Sequence, residues 1–142
     1  MKQTDNFKFD EANVMNELVY RNLSEDAKRQ ICAWKYGGEY DLYNLPAYEE
    51  MQVRQIGFMN PQREKNYYGF WDESILVGFV NILEEKEEVF IGIGVNPDLC
   101  NKHYGQRMLL ITYEISKKLY PNKPLYLEVR TWNIRAIKCY QK

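Results

Sequence analysis

The middle of the chain has the pattern of β-strands, in which short apolar runs are separated by turn residues. Residues 67–71 and 75–83 are two such runs on either side of the Asp-Glu-Ser turn at residues 72–74. A charged second turn covers residues 84–87, and residues 88–95 form the next apolar run. We therefore predict an antiparallel meander of three strands.

The segment before this meander predicts one strand and two helices. Residues 17–23 alternate and open the sheet, and Ser24 is a typical helix N-cap. The first helix ends at Gly37-Gly38, and the second runs from Pro46 toward Met59. The apolar positions expected to be buried are Ala27, Ile31 and Trp34 on the first helix and Tyr48, Met51, Val53, Ile56 and Met59 on the second.

The last third of the chain predicts a β-α-β unit. Residues 96–98 (Asn-Pro-Asp) end the third strand, residues 105–120 are amphipathic, and residues 125–130 alternate again. The expected buried stripe of this helix is Met108, Ile111, Ile115 and Leu119. A crossover helix of this length joins two parallel strands, and Asn133 is expected to cap a last helix reaching Lys142. The fold class is therefore α/β, with a mixed sheet.

The length of the chain fits a single domain. Its charge argues against binding to nucleic acid or to a membrane surface. The chain has 142 residues, and we expect a single domain over residues 1–142 in which residues 1–15 form an irregular lead-in. Nineteen basic and 20 acidic residues give a formal net charge of -1, which argues against binding nucleic acid or anionic lipid by bulk charge. The apolar runs are of strand length, too short for a membrane span.

The numbers and positions of the cysteines and the histidine limit the kinds of catalytic site that the chain can form. Cys32, Cys100 and Cys139 are an odd number at wide spacing, which is typical of reduced thiols and predicts a cytoplasmic protein. His103 is the single histidine, so a catalytic triad or a zinc site with several imidazoles would have to be built around it. We therefore expect chemistry without a metal.

The strand-to-helix junction at residues 91–107 is the most informative segment. A helix N-terminus presents free backbone N–H groups and a partial positive charge, and together these bind phosphate oxygens. Gly105 lets the backbone approach an anion without a Cβ in the way, and Lys102 and Arg107 add positive charge. The pattern predicts an anion site, although a glycine at a helix start is by itself typical of simple chain reversal.

An ordered set of features resembles a known family. It consists of an apolar strand ending in Val-x-Pro, a glycine-bearing loop, an amphipathic helix, a short strand and an Asn-x-x-Ala-x-x-x-Tyr sequence. The residues concerned are Val95 and Pro97, Gly105, and Asn133, Ala136 and Tyr140. This arrangement resembles the GNAT superfamily of acetyl-CoA-dependent N-acetyltransferases over residues 67–142. The resemblance implies a GNAT-like fold, with an antiparallel meander, a β-α-β crossover and splayed parallel strands, and with the family's C-terminal strands apparently missing.

The resemblance also implies where acetyl-CoA binds. Its pantetheine arm is expected to pair with residues 88–95, where this strand splays from residues 125–130. The pyrophosphate is expected on residues 100–106, although Cys100 and His103 stand where the family usually has Gln or Arg and glycine. The expected cofactor-binding residues are Ile93, Gly94, Val95, Cys100, Asn101, Lys102, His103, Tyr104, Gly105, Gln106 and Asn133.

The implied reaction is direct attack of an amine on the thioester. A backbone N–H near Gly94 and Val95 is expected to stabilise the oxyanion. Glu88 is expected to accept the proton of the amine, and Tyr140 to protonate the departing thiolate. The acceptor stays open between a small-molecule amine and a peptide amine.

Two other interpretations stay open. The first is a non-catalytic acyl-CoA-binding regulatory or interaction module on the same fold, and the second is an unrelated α/β binding domain. The tyrosine-rich residues 34–48 either border an acceptor pocket or anchor their segment to the core, and the sequence favours neither. An unpaired strand edge near the C-terminus is compatible with a homodimer.

Overall fold

A computed structural model describes residues 2–4, 18–100 and 102–128. These residues form one six-stranded sheet in the order β1-β6-β5-β4-β3-β2. Its strands are β1 (Lys2–Thr4), β2 (Val19–Asn22), β3 (Tyr67–Asp72), β4 (Ile75–Glu84), β5 (Val89–Val95) and β6 (Leu125–Glu128). The helices are α1 (Glu25–Ala33), α2 (Tyr48–Arg54) and α3 (Tyr104–Leu119). The predicted α/β class with a mixed sheet is confirmed.

The predicted meander forms the centre of the sheet. β3 pairs with β4 and β4 with β5, both antiparallel, and β2 pairs antiparallel with the outer side of β3. The turn between β3 and β4 holds Glu73 at φ 55, a left-handed conformation that fits a tight reversal. β4 is matched to β5 from Glu84↔Val89 to Gly78↔Val95, so β5 is held along its whole length on this side.

Two hydrophobic cores cover the two faces of the sheet. The core on the α3 face contains Phe70, Val77, Val80, Ile82, Val89, Ile91, Met108, Leu109, Leu125 and Leu127. The core on the α1 face contains Leu23, Ala27, Ile31, Cys32, Met51, Phe58, Trp71 and Leu76. Side chains of β5 alternate between these faces, which places Phe90, Gly92 and Gly94 on the α1 face.

Helix α1 begins as predicted, and α2 ends earlier than predicted. The Ser24 side chain accepts a hydrogen bond from the backbone N–H of Ala27, which caps α1. Helix α2 stops at Arg54 because Gln55 adopts a left-handed conformation at φ 51. The expectation that Val53 is buried is wrong, since 84% of its surface is exposed.

Helix α3 buries a different stripe from the predicted one. Met108 and Ile115 are buried and Ile111 is partly buried, but Leu119, at the end of the helix, is 50% exposed. The remaining inner positions are Gly105, Leu109, Thr112 and Ser116. Spacings of three and four residues connect these positions along the helix, so the buried face is one continuous stripe.

The predicted crossover is confirmed, because β5 and β6 are parallel and α3 connects them. Lys2–Thr4, which the sequence assigns to the irregular lead-in, instead pair antiparallel with residues 126–128 of β6. They cover the edge of β6 for which the sequence suggested a second copy. The predicted helix at residues 133–142 and residues 129–130 lie outside the described residues.

A buried lysine joins α1 to the segment before β3. The Lys28 ammonium lies 3.1 Å from Glu25 Oε1 and 3.0 Å from Glu64 Oε1, and its side chain is almost fully buried. Burial opposes the charge, but the hydrogen bonds to Glu64 and Glu25 outweigh it and raise the pKa of Lys28. Both carboxylates are about half exposed, so they remain hydrated if the lysine is removed.

This asymmetry predicts unequal effects of substitution. The double variant E25Q/E64Q leaves the buried ammonium without a carboxylate and should lower the free energy of unfolding by about 3 kcal/mol. Lys28→Met replaces the charge by an apolar chain of similar length and should cost less than about 1 kcal/mol. Urea unfolding measures both, with the exposed Glu49→Gln as the control. Equal losses in the two variants would contradict the prediction.

Candidate active site

The candidate site lies where two parallel strands stop pairing. The described pairing between β5 and β6 consists of Val89↔Leu125 and Phe90↔Tyr126, although β5 continues to Val95 and β6 to Glu128. Beyond Phe90, β5 is paired only with β4 among the residues that the structure describes. We call residues 91–95 on this side the open edge of β5. In the described residues the pairing of the two parallel strands thus ends after Phe90 and Tyr126, as the predicted splay requires.

The ladder determines which backbone groups reach this edge. The Asn96 N–H donates to the Val77 carbonyl at 2.8 Å, and the Glu85 N–H donates to the Glu88 carbonyl at 2.8 Å. These bonds identify the pairs at both ends of β4 and β5 as pairs that exchange hydrogen bonds. In an antiparallel ladder such pairs alternate with pairs whose N–H and C=O groups point away from the partner strand. Ile93 and Val95 therefore direct their N–H and C=O groups away from β4, toward the open edge.

The same alternation affects Gly94, whose N–H was expected near the oxyanion. Gly94 pairs with Phe79 at a hydrogen-bonded position, so its backbone groups belong to the ladder with β4. The N–H groups at the open edge belong instead to Ile93 and Val95. At the other end of β5, the Val89 N–H donates to the Pro124 carbonyl at 2.9 Å, as the alternation requires.

The tyrosine-rich segment between α1 and α2 reaches the end of β5. The Tyr36 hydroxyl donates a hydrogen bond to the Val95 carbonyl at 2.6 Å, and the Tyr36 N–H donates to Asn44 Oδ1 at 2.6 Å. The Tyr36 and Tyr43 rings pack edge to face. Tyr36 therefore anchors its segment, as one of the two interpretations expects, and it does so beside the candidate site; a role in an acceptor pocket stays a prediction. Because 59 residues separate Tyr36 from Val95, no local pattern along the chain indicates this contact.

Tyr48 has only the anchoring role in the described structure. Its hydroxyl donates to Glu25 Oε2, which joins α2 to the first turn of α1. This hydrogen bond, followed by that from Lys28, lowers the pKa of the Glu25 carboxyl. Tyr48 therefore does not contribute a polar group to the open edge.

The loop after β5 is fixed by Asn96. Its Nδ2 donates to the Leu76 carbonyl at 3.1 Å, and its Oδ1 accepts from the Asp98 N–H at 3.0 Å. The chain then makes the short 3-10 helix Pro97–Leu99 and turns into α3. Asn96 thus ties the loop to β4 and sets where α3 begins.

The start of α3 has the geometry of an anion site. His103 precedes the helix at φ 65, the left-handed conformation that glycine adopts most easily, and makes no side-chain cap. This is the position where the resemblance places a glycine, so the backbone keeps the shape that a glycine would have. Lys102 and His103 are exposed, and Gly105 is buried against the sheet.

The side chain of Tyr104 points away from this loop. Its hydroxyl donates to Asp72 Oδ2 at 2.6 Å, and the guanidinium of Arg107 lies 5.0 Å from its ring centroid. The hydrogen bond to Asp72 raises the pKa of Tyr104. Tyr104 therefore anchors α3 to the β3–β4 turn, and only its backbone faces the loop.

The structure does not bring Glu88 to the open edge. Glu88 precedes β5, at the end where β5 and β6 are paired, whereas Ile93 and Val95 lie toward the other end. At about 3.3 Å per residue, Glu88 is roughly 17 Å from Ile93 along the strand. A direct proton transfer requires hydrogen-bond distance or one bridging water, so Glu88 is too distant for direct contact.

Asn101, Asn133 and Tyr140 lie outside the described residues, and their predicted roles stay predictions. Within the described ranges, no group of three or more His, Cys, Asp or Glu side chains is arranged to hold a metal ion. The helices of the same ranges include none that is long and apolar enough to cross a bilayer.

The match to a family of known activity identifies the class of protein as an acyltransferase. The sequence profile of the acetyltransferase (GNAT) family matches residues 29–142, and the chain belongs to that family. No curated protein matches the chain.

Solved structures of low sequence identity share the fold. A chimera of the spermidine N-acetyltransferase SpeG from Vibrio cholerae and hSSAT has 18% identity and a TM-score of 0.72, covering 87% of this chain and 77% of that one. The ribosomal-protein-S18-alanine N-acetyltransferase from Escherichia coli has 19% identity and a TM-score of 0.59, with 87% and 74% covered. A domain from Methanocaldococcus jannaschii has 18% identity and a TM-score of 0.64, with 87% and 84% covered.

The left-handed backbone at His103 predicts an unusual response to glycine. His103→Gly should raise the free energy of unfolding by about 0.5 kcal/mol, because glycine adopts this conformation without steric cost. Lys118→Gly, within α3, is the control and should lower the free energy of unfolding by a similar amount, since glycine is unfavourable in a helix. Urea unfolding compares the two variants, and a loss of stability in both would contradict the assignment.

Proposed function

We propose that this protein transfers an acetyl group from acetyl-CoA to a primary amine by direct attack. The observation that carries the proposal is the open edge of β5, where Ile93 and Val95 direct backbone groups toward the diverging β6. An extended chain containing amides can pair with such an edge as an added strand does. The pantetheine arm of acetyl-CoA is a chain of this kind.

The start of α3 fits the diphosphate of the same molecule. The N–H groups of its first turn have no side-chain cap from His103, and Lys102 is exposed beside them. Backbone donors at a helix N-terminus bind phosphate oxygens strongly because the helix dipole adds to their hydrogen bonds. We assign residues 100–106 and Asn133 to this role. For Asn101 and Asn133 the assignment rests on the family resemblance alone.

The chemistry requires a neutral amine and a stabilised oxyanion. Bound acetyl-CoA supplies the acyl group as an activated thioester. In the proposed geometry the N–H of Val95 stabilises negative charge on the carbonyl oxygen, and the N–H of Ile93 pairs with the pantetheine arm. Tyr140 keeps its proposed role as proton donor to the thiolate, since a phenol is protonated at neutral pH.

The proton of the amine leaves through water in this proposal. Glu88 lies at the paired end of β5, too far for direct contact with an amine beside Ile93. A chain of waters that ends at Glu88 or at bulk solvent satisfies the requirement of general base catalysis. Glu88→Gln should therefore retain kcat within about threefold, because no direct transfer is lost.

The acceptor is assigned as a primary amine, either a small molecule or a peptide N-terminus. One of the similar structures is a spermidine N-acetyltransferase chimera and another is a ribosomal-protein-S18-alanine N-acetyltransferase. The first supports a small-molecule amine as acceptor and the second a peptide amine. We place the activity in the cytoplasm, where acetyl-CoA is available and where cysteines outside disulfides, such as Cys32 and Cys100, are stable.

The direct test is release of free CoA thiol from acetyl-CoA in the presence of a panel of polyamines, amino sugars, amino acids and peptides. The proposal expects turnover with at least one amine and a higher melting temperature on addition of acetyl-CoA, by mass action. Stabilisation without turnover would support the non-catalytic acyl-CoA-binding module. Absence of both would refute acyl-CoA binding.

A charge reversal tests the assignment of the phosphate site. Lys102→Glu places a carboxylate beside the start of α3 and should raise the KM for acetyl-CoA about tenfold at low salt, with less effect at high salt. Lys118→Glu is the matched control, because it makes the same charge change on an exposed residue at the other end of α3, roughly 24 Å away. Equal effects of the two variants would place the phosphates elsewhere.

A further inference from the structure

Asn81 occupies a distinctive position on β4, beside the open edge of β5. Its cross-strand partners are Tyr67 on β3 and Gly92 on β5, and its side chain lies on the α1 face of the sheet. The neighbouring β4 positions on this face are the apolar residues Phe79 and Leu83. A carboxamide at this place therefore stands among apolar neighbours.

The carboxamide oxygen of Asn81 is buried and makes no hydrogen bond to any part of the chain that the structure describes. Buried polar atoms in folded proteins are nearly always paired, because an unmade hydrogen bond at such an atom destabilises the fold. An acceptor left unpaired beside an open strand edge has the geometry of a ligand contact.

Room for a methyl-sized group lies over Gly92, next to the side chain of Asn81. A Cβ placed on Gly92 would have as its nearest neighbours Phe90 Cε2 at 3.4 Å and Asn81 Cβ at 3.5 Å, which are ordinary contacts. A Cβ placed on Gly94 would instead overlap the ring of Phe79. The absence of a side chain at Gly92 thus leaves a niche, bounded by Asn81 and Phe90, whereas the position at Gly94 is filled.

The geometry points to Asn81 as the residue that accepts a hydrogen bond from the N–H of the acceptor amine, in a niche over Gly92. This inference rests on the proposed acetyl transfer. The acyl donor lies in the plane of the sheet along the edge of β5, whereas Asn81 is one strand further in and projects from the face. A group that reaches its oxygen must therefore lie on the α1 face, where the acceptor approaches.

A neutral acceptor suits this task better than a carboxylate. The amide oxygen binds an N–H of the amine in either charge state. A carboxylate would favour the ammonium form and raise the pKa of the amine, so less of it would be reactive. Asn81 can thus orient the amine while leaving its lone pair available for attack.

Ser116 provides an internal comparison. Its hydroxyl is likewise buried without a hydrogen bond in the described part of the chain, but it lies on α3, against the opposite face of the sheet. An unpaired atom alone is therefore not a site. Asn81 differs because it adjoins the niche over Gly92 and the open edge of β5.

The test compares Asn81→Leu, Gly92→Ala and the control Ser116→Ala, using the best amine of the panel. Asn81→Leu and Gly92→Ala should each raise the KM for the amine about tenfold and leave the KM for acetyl-CoA within about twofold, because one loses the acceptor and the other fills the niche. Ser116→Ala should change neither KM. The melting temperature should be unchanged or higher in Asn81→Leu and Ser116→Ala, since each removes an unpaired buried atom.

Asn81→Asp supplies a readout that a structural role would not move. The carboxylate should lower the KM for the amine and shift the rise of kcat with pH upward by up to about one pH unit, because it stabilises the ammonium form. An unchanged pH profile, a lower melting temperature in Asn81→Leu, or an effect on the KM for acetyl-CoA instead of the amine would each overturn the inference.

The outcomes separate this inference from the proposed function. If the wild-type protein releases no CoA with any amine, the proposed function fails and the inference fails with it. If the wild type turns over and the Asn81 and Gly92 variants keep its KM for the amine, only the inference fails.

Discussion

The site depends on the end of the described pairing between β5 and β6 after Phe90 and Tyr126. Backbone N–H and C=O groups require partners, so a strand edge that loses its neighbour inside a sheet must pair with something else. One such group is already satisfied by a side chain, since the Val95 carbonyl accepts from Tyr36. The remaining groups of Ile93 and Val95 are what make this edge suitable for an extended ligand.

β5 and β6 are each held by another strand on the side that faces away from the other. β5 is fixed to β4 along its length, and its end is held by Asn96 from one side and Tyr36 from the other. β6 pairs with β1 over residues 126–128, so its outer edge is satisfied where it leaves β5. Each strand thus has a described partner on the side that faces away from the other, whereas the described pairing between the two ends after Phe90.

Local patterns predicted much of this fold, while the site depends on distant contacts. The strand pattern located the meander, and Ser24 and the residues 96–98 marked a helix start and a strand end correctly. The end of α2 was missed because nothing in the residue type of Gln55 indicates a left-handed conformation. The contact of Tyr36 with Val95 and the position of Asn81 opposite Gly92 could not be predicted, because only the folded sheet brings these residues together.

At His103, the residue type and the backbone geometry give different indications about the anion site. Judged by residue type, His103 departs from the glycine that the family usually has at this position. Its backbone, however, has φ 65, the left-handed conformation that glycine adopts most easily. A histidine in this conformation has a steric cost, but the path of the chain is the one that a glycine would follow. A strained backbone persists only where its surroundings enforce it, and here Asn96 and the Tyr104–Asp72 hydrogen bond hold the two sides of the loop. The shape of the loop is therefore imposed by its anchors rather than by a glycine.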